Sequence, residues 1–189
     1  MRKLFLIGFC FIFSLIGCGK QKLQQQLAEF MRKEVAIPDG MRQMVEGRDT
    51  VVLNPVAGAA RLVVWVDSIA CSSCSLNQMF RYSEMIEYRN ETGEEFVPLF
   101  LFSPPRAKIE EVILLLRYSQ FDYPVFIDES NAFRRTNPHI PADSRFHTFL
   151  LDGNGKVLLI GDPVQNSELW KLYKTTVAGL INEDNPHAE

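Results

Sequence analysis

The apolar positions in the middle of the chain fall into two alternating patterns. Three short runs lack the regular polar alternation of a half-exposed strand, as expected for strands covered on both faces. They are Leu62–Asp67, Phe96–Phe102 and Pro124–Ile127. Between them, apolar residues recur at helical spacing, which predicts helices over Cys74–Thr92, Lys108–Tyr118 and Ser130–Arg135. The first of these helices offers six side chains for burial: Leu76, Met79, Phe80, Tyr82, Met85 and Ile86.

The last part of the chain predicts a β-hairpin and a closing helix. Phe146–Leu151 and Val157–Gly161 flank a turn at Asp152–Lys156. This turn lacks the glycine at the sixth position and the glutamate at the twelfth position of a calcium-binding loop, so we interpret it as a hairpin turn. The closing helix is predicted over Ser167–Ile181, with Ser167 as its N-cap. The order β-α-β-α-β-α-β-β-α predicts an α/β fold with a mixed central sheet flanked by helices.

The segment before the first core strand predicts a tether and a linker. Lys20–Val35 carries apolar residues on one helical face and ends before Pro38. Its glutamine-rich polar face has few positive charges, which argues against a helix lying on a membrane surface. Asp39–Ala60 is interpreted as a loop with one short strand at Thr50–Leu53.

The N-terminus has the pattern of an export signal. Arg2 and Lys3 precede the 14-residue apolar run Leu4–Gly17. A membrane-spanning helix needs about 20 residues, so this run has the length of a signal peptide. An uncleaved N-terminal anchor is the alternative.

The end of that apolar run, Leu15-Ile16-Gly17-Cys18, resembles the bacterial lipobox. The resemblance implies that residues 1–17 are a signal peptide and that Cys18 receives a thioether-linked diacylglycerol and an N-acyl chain such as palmitate. Several acyl chains anchor a protein stably where one does not. We therefore expect a lipoprotein of the cell envelope, with a tether at residues 18–50 and a domain at residues 51–189 that faces the periplasm.

Composition narrows the classes of function. The chain is 47% hydrophobic and 23% charged, as soluble globular proteins are. A formal net charge of −3 does not favour a nucleic-acid-binding protein, which needs a basic surface. The sequence also lacks a glycine-rich phosphate loop, a GxSxG motif and an HExxH motif.

The cysteines supply the candidate chemistry. Of the four, Cys10 lies in the signal peptide and Cys18 at the lipobox, which leaves Cys71 and Cys74 in the mature protein. The pair stands where a strand passes into a helix, and the helix N-terminus favours the thiolate, which is the reactive form. The alternative is a structural disulfide or two buried thiols, but so short a loop contributes little chain entropy.

Two stretches, VVWVDSIACSSC and FHTFLLDGNGKVLLIGDP, resemble the thioredoxin-like envelope proteins of the TlpA/ResA type. The resemblance covers about Val51–Leu180. It implies a thioredoxin fold in which Cys71 is the attacking thiol and Cys74 the resolving one. Ser72 and Ser73 would be the intervening pair that helps to set the redox potential, and the fold requires no cofactor.

The chain departs from this family at three positions. Ala70 replaces the aromatic residue before the first cysteine, and Trp65 stands where many thioredoxins have a buried acid. Phe146 aligns with the cis-proline that shapes the substrate groove and keeps the cysteines from binding metal. We therefore expect a substrate groove formed by Ser72, Ser73, Phe146 and His147 that differs from the usual one.

The resemblance implies a membrane-tethered thiol–disulfide oxidoreductase that acts on protein cysteines. Its partners would be protein thiols or disulfides and an electron donor or acceptor. The alternative is a non-catalytic thioredoxin-like lipoprotein that binds a partner or handles metal. A copper site would combine the cysteines with His139 or His147, but thioredoxin-fold copper proteins space their cysteines CxxxC. A peroxiredoxin would have threonine at Ser68, so neither a metal site nor peroxidase activity is expected.

Overall fold

A computed structural model describes residues 21–51, 58–67 and 75–184 of the chain. Within these ranges seven strands form one sheet. The strands are β1 (Arg42–Val45), β2 (Arg48–Asp49), β3 (Gly58–Val66), β4 (Phe96–Phe102), β5 (Val125–Ile127), β6 (Thr148–Gly153) and β7 (Val157–Ile160). The helices are α1 (21–32), α2 (Ser83–Glu91), α3 (Ile109–Ser119), α4 (Ala132–Thr136) and α5 (Ser167–Asp184). None of these helices is long and apolar enough to cross a bilayer.

The strand order is β2-β1-β5-β4-β3-β6-β7. Strands β3, β4 and β5 are parallel, whereas β6 and β7 are antiparallel to their neighbours. The five strands β5-β4-β3-β6-β7, with helices between the parallel strands and a terminal hairpin and helix, have the connectivity of the thioredoxin fold. The expected fold class is confirmed. Strand β3 lies inside the sheet, and its residues 62–66 are all buried.

Most predicted elements occur close to their expected positions. Strand β4 has the predicted bounds, and β3 begins at Gly58, four residues before the predicted start. Helix α5 is capped by Asn166 rather than Ser167, because the Asn166 Oδ1 accepts hydrogen bonds from the N–H groups of Glu168 and Leu169 at 3.0 and 3.1 Å. Asparagine, like the predicted serine, is among the strongest N-cap residues, so the cap lies one residue earlier than predicted but has similar chemistry.

The prediction of one continuous helix up to Thr92 is wrong within the described residues. Residues 75–76 are helical, 77–78 form a turn, and a 3₁₀ segment at Met79–Tyr82 precedes α2. The interruption changes the direction of successive side chains. Met79 and Tyr82 remain buried, but Phe80, which was expected in the core, is 70% exposed.

A hairpin absent from the prediction extends the sheet at one edge. Strand β1 pairs with β5 in antiparallel register, with Arg42 opposite Ile127. Glu46 and Gly47 both have positive φ, as a tight hairpin turn requires. A Cβ atom at Gly47 would approach the backbone carbonyl oxygen of Ile113 to 2.7 Å, so glycine is needed there. A strand was also predicted at Thr50–Leu53. Residues 50 and 51 belong to no strand, and residues 52 and 53 lie outside the described residues.

Helix α1 packs against the sheet through its C-terminal end. Phe30 is fully buried and meets the Phe149 ring edge-to-face at 5.1 Å between centroids. Beyond the helix, the N–H of Val35 donates to the carbonyl of Gly155 at 2.8 Å. The Asn137 side chain both accepts from the N–H of Ala36 and donates to its carbonyl. The chain from Phe30 to Ala36 is therefore part of the packed structure.

Candidate functional site

The cysteine segment lies outside the described residues. This applies to Cys71, Cys74, Ser72 and Ser73, and also to the predicted lipidation site Cys18. The structure describes the residues on both sides of the segment, Asp67 and Ser75, together with Phe146 and His147. These neighbours define the environment in which the sequence places the two cysteines.

Three polar residues directly follow the three parallel strands. Asp67 follows β3, Ser103 follows β4 and Asp128 follows β5, and all three are buried. Backbone hydrogen bonds continue the sheet register here. The N–H of Ser103 donates to the carbonyl of Val66 at 2.9 Å, and the N–H of Asp128 donates to the carbonyl of Phe102 at 2.8 Å. The carboxyl edge of parallel strands is where open α/β sheets bind ligands.

A hydrogen-bond chain fixes Trp65 at this edge. Its indole Nε1–H donates to the Ser103 Oγ at 3.0 Å, and that hydroxyl donates to the Asp128 Oδ2 at 3.3 Å. Asp128 in turn accepts from the backbone N–H groups of Ala132 and Phe133, both at 2.8 Å, and so caps α4. Trp65, at the position where the family has an acid, is therefore held by an internal polar network.

His147 lies beside Trp65, directly before the neighbouring strand β6. Its backbone carbonyl accepts from the Trp65 N–H at 2.9 Å, and the two rings are 4.3 Å apart between centroids. Its Nε2 is 2.9 Å from the Pro141 carbonyl oxygen, which only accepts, so we assign the proton to Nε2. The side chain is 2% exposed. Burial lowers the pKa of His147, although the Pro141 carbonyl and the Asp67 carboxylate oppose this shift.

The second ring nitrogen of His147 faces a carboxylate. Nδ1 is 3.9 Å from the Asp67 Oδ2 and has no hydrogen-bond partner among the described residues. Since a neutral ring with its proton on Nε2 has its lone pair on Nδ1, this nitrogen is the one that accepts a second proton. The resulting imidazolium would face Asp67.

Arg134 of α4 supplies the positive charge of this cluster. Its guanidinium lies 4.2 Å from the centre of the Trp65 ring and 3.7 Å from the Asp67 Oδ2, and it donates to the Ile140 carbonyl at 2.8 Å. It is also 3.5 Å from the His147 Nε2. Because the guanidinium is positively charged, it opposes protonation of the ring. Burial lowers the pKa of Arg134, and Asp67 opposes the shift.

Phe146 ends a short 3₁₀ segment, Ser144–Phe146, directly before His147. The segment is capped by Asp143, whose side chain accepts from the N–H of Arg145 at 3.1 Å. The Arg145 guanidinium also binds this carboxylate and holds the pKa of Asp143 at about 2. Phe146 is half-buried, with the Arg145 guanidinium 5.6 Å from its ring centre, and no peptide bond in the described ranges is cis.

Sequence reasoning identified some of this cluster and missed the rest. Phe146 and His147 were singled out, whereas Ser103 and Asp128 were not. A usable signal existed, because Asp67, Ser103 and Asp128 each come directly after an apolar run. Arg134, one of two adjacent arginines, was not singled out either, and it lies partly buried beside Asp67. In the described part of the chain no group of three or more His, Cys, Asp and Glu residues is arranged to hold a metal ion.

Comparisons with known proteins give only distant structural matches. No protein-family model matches the chain, and no curated protein matches it significantly. An uncharacterised thioredoxin-like protein from Porphyromonas gingivalis matches with a TM-score of 0.47 and 18% identity over 80% of this chain and 95% of its own.

Two further solved structures are also similar. StoA from Bacillus subtilis matches with a TM-score of 0.45 and 15% identity, covering 72% of this chain and 98% of its own. AhpC from Mycobacterium tuberculosis matches with a TM-score of 0.39 and 14% identity, covering 64% and 75%. The fold assignment rests on the strand order and connectivity described above.

Proposed function

We propose that this thioredoxin-fold protein is a thiol–disulfide oxidoreductase that acts on protein cysteines through Cys71 and Cys74. The observation that supports the proposal is the position of the CxxC motif. The motif begins four residues after Asp67, the buried residue that follows β3 at the carboxyl edge of the parallel strands. Ligand sites of open α/β sheets lie at this edge.

The exchange requires two successive attacks by thiolates. The Cys71 thiolate attacks one sulfur of the substrate disulfide, the S–S bond breaks, and the other substrate sulfur leaves as a thiolate that takes up a proton. The Cys74 thiol then loses its proton and attacks the Cys71 sulfur of the mixed disulfide. The reduced substrate leaves, and two electrons have passed from the Cys71–Cys74 dithiol to it. The motif is left as a disulfide, and an external dithiol reduces it to complete the cycle. With an oxidised motif and a dithiol substrate the same steps run in reverse, and an external disulfide reoxidises the motif.

The buried cluster would act on this exchange through its charges. Asp67 is the described ionisable residue that stands nearest to Cys71 in sequence. A carboxylate disfavours a neighbouring thiolate, and Arg134, 3.7 Å from that carboxylate, compensates part of its charge. The balance of these two groups would set how readily the cysteines ionise.

We also propose that the protein works in the cell envelope as a lipoprotein. The lipobox-like sequence before Cys18 supports this location, with the domain facing the periplasm. The lipid-anchored form would meet its protein substrates and its redox partner at the membrane surface.

A second candidate is a non-catalytic thioredoxin-like module that binds a partner. Two departures favour it: Phe146 stands in place of the family's proline, and Trp65 in place of its buried acid. The resemblance places both positions near the cysteines, so binding without turnover would be consistent with the two replacements.

Trapping separates the two candidates. In the full-length Cys74→Ser variant the resolving thiol is absent, so substrates should remain attached to Cys71 as mixed disulfides that dithiothreitol releases. The Cys71→Ser variant is the matched control and should trap nothing. If the Cys74→Ser variant captures no protein and the wild-type chain fails to reduce insulin, the oxidoreductase proposal is wrong.

A further inference from the structure

A groove with two exposed aromatic side chains lies next to the cysteine segment in sequence. It has a volume of about 470 Å³ and is bounded by the start of the interrupted helix, by α2 and by the end of α3. Phe80 and Tyr118 are 70% and 75% exposed. Leu76, two positions after Cys74, also lines it and is buried. Because the two exposed rings line one groove rather than being scattered over the surface, the groove is a candidate binding site.

The local backbone explains why these aromatic rings remain in solvent. The 3₁₀ segment Met79–Tyr82 directs Met79 and Tyr82 into the core and leaves Phe80 outside. At the other wall, α3 ends at Gln120, whose φ of 54° lies in the left-handed region. The following Phe121 is buried and meets the Phe100 ring edge-to-face at 5.4 Å. Both walls are therefore anchored to the core, and the groove does not need to form on binding.

The charges of the groove define its occupant. Among the described residues that line it, the charged ones are Glu87 and Asp122, and both are exposed. An apolar groove with acidic groups at its rim complements a large apolar side chain that stands next to a Lys or Arg. The volume is large enough for one or two such side chains.

We propose that this groove, formed by Leu76, Phe80, Ile86, Glu87, Tyr118 and Asp122, binds an extended segment of the protein substrate that carries a large apolar residue beside a Lys or Arg. The inference rests on the proposed oxidoreductase function, because Leu76 joins the groove to the cysteine motif. The groove would hold the substrate while Cys71 attacks its disulfide. Substrate preference would then depend on residues that take no part in the exchange itself.

Two peptides test the preference. Each carries one intramolecular disulfide; the first has Phe and Lys beside it, and the second has Ser and Glu. Reaction of the reduced full-length protein with the Phe/Lys peptide should be about tenfold faster at low peptide concentration, as expected from one anchored aromatic ring and one or two charge pairs. The neutral small disulfide 2-hydroxyethyl disulfide should not depend on the groove at all.

Variants inside and outside the groove test whether the groove causes the preference for the Phe/Lys peptide. Tyr118→Ser should remove most of the preference, and Glu87→Lys should weaken it by about threefold. Leu114→Ser and Glu110→Lys change exposed residues of α3 that do not line the groove, so both should behave as wild type. All four variants should react with 2-hydroxyethyl disulfide at the wild-type rate.

A third, redox-inert peptide separates this inference from the proposed function. It is the Phe/Lys peptide with serine in place of both cysteines, and its binding is measured by fluorescence anisotropy. If the protein does not react with 2-hydroxyethyl disulfide but binds this peptide through Tyr118, the oxidoreductase proposal fails and the groove remains a binding site. If the Phe/Lys and Ser/Glu disulfide peptides react at equal rates, or if Tyr118→Ser changes neither the reaction nor the binding of the redox-inert peptide, the groove proposal is overturned. The same holds if sedimentation shows a dimer that Tyr118→Ser converts to a monomer, since the occupant is then a second copy of the chain.

Discussion

Replacing Phe30 with alanine is expected to lower the free energy of unfolding by about 3–5 kcal/mol, the usual cost of truncating a buried phenylalanine. Phe30 belongs to α1, which sequence reasoning interpreted as a tether, yet its side chain has no exposed surface. The edge-to-face contact with Phe149 at 5.1 Å accounts for about 0.5–1.5 kcal/mol of this total. The rest comes from lost apolar burial and from the cavity that alanine leaves.

Denaturant unfolding followed by tryptophan fluorescence measures the effect on the chain from residue 19. Met31→Ala is the matched control, because Met31 is the next residue of the same helix and is 45% exposed. It should change the free energy of unfolding by no more than about 0.5 kcal/mol. If Phe30→Ala costs no more than Met31→Ala, α1 does not pack on the domain and the reasoning is refuted.

Three further predictions concern the buried cluster. Asp67→Asn should lower the pKa of the Cys71 thiol, because a negative charge is removed while the nearby guanidinium remains; the pH dependence of alkylation by iodoacetamide measures this. Ser103→Ala should lower the free energy of unfolding by about 1–3 kcal/mol, because it leaves a buried indole N–H without its acceptor. Ser167→Ala, at an exposed residue outside this network, should cost about 0.5 kcal/mol or less. The pKa of His147 is lowered in the folded state, so the unfolded state binds the proton first as the pH decreases. The free energy of unfolding should therefore be constant above about pH 6.5 and fall below it. His147→Gln should reduce that fall, as measured by denaturant titrations at several pH values.

Each of these three predictions has a control or a result that would contradict it. Glu95→Gln, which removes an exposed carboxylate at the amino-terminal end of β4, should leave the alkylation profile unchanged. A thiol pKa that rises in Asp67→Asn would contradict the charge argument. Equal costs for the two serine variants would mean that the indole contact does not stabilise the fold. His139 also has a lowered pKa, so part of the decline between about pH 6.5 and pH 5 should persist in His147→Gln and disappear when His139 is replaced as well.

The sequence predicted the parts of the fold that depend on apolar burial. Strands β3, β4 and β5 have few polar residues, because both faces of each are covered, and this makes them recognisable without a structure. The terminal hairpin is marked by its Gly- and Asn-rich turn. By contrast, Arg42–Asp49 has five polar residues and a glycine out of eight, as an edge hairpin has, and this pattern does not differ from that of a loop.

The candidate site was only partly predictable because its contacts join distant segments. Asp67 was visible as an acid close to the cysteines, but its orientation depends on how β3 pairs with β6. Arg134 lies on a five-residue helix, and only the packing of that helix brings its guanidinium over Trp65. The break at residues 77–78 contains neither glycine nor proline, so the sequence carried no signal for it.

The docking of α1 limits how far the domain can move from a bilayer. If Cys18 is lipidated as proposed, about 12 residues separate the acyl chains from Phe30, which is fixed in the core. These residues reach about 18 Å as a helix and about 40 Å when fully extended. Residues 21–32 are helical, which favours the shorter value. The protein would thus search a thin layer of the periplasm, and proteins far from that membrane would meet it only by coming to its surface.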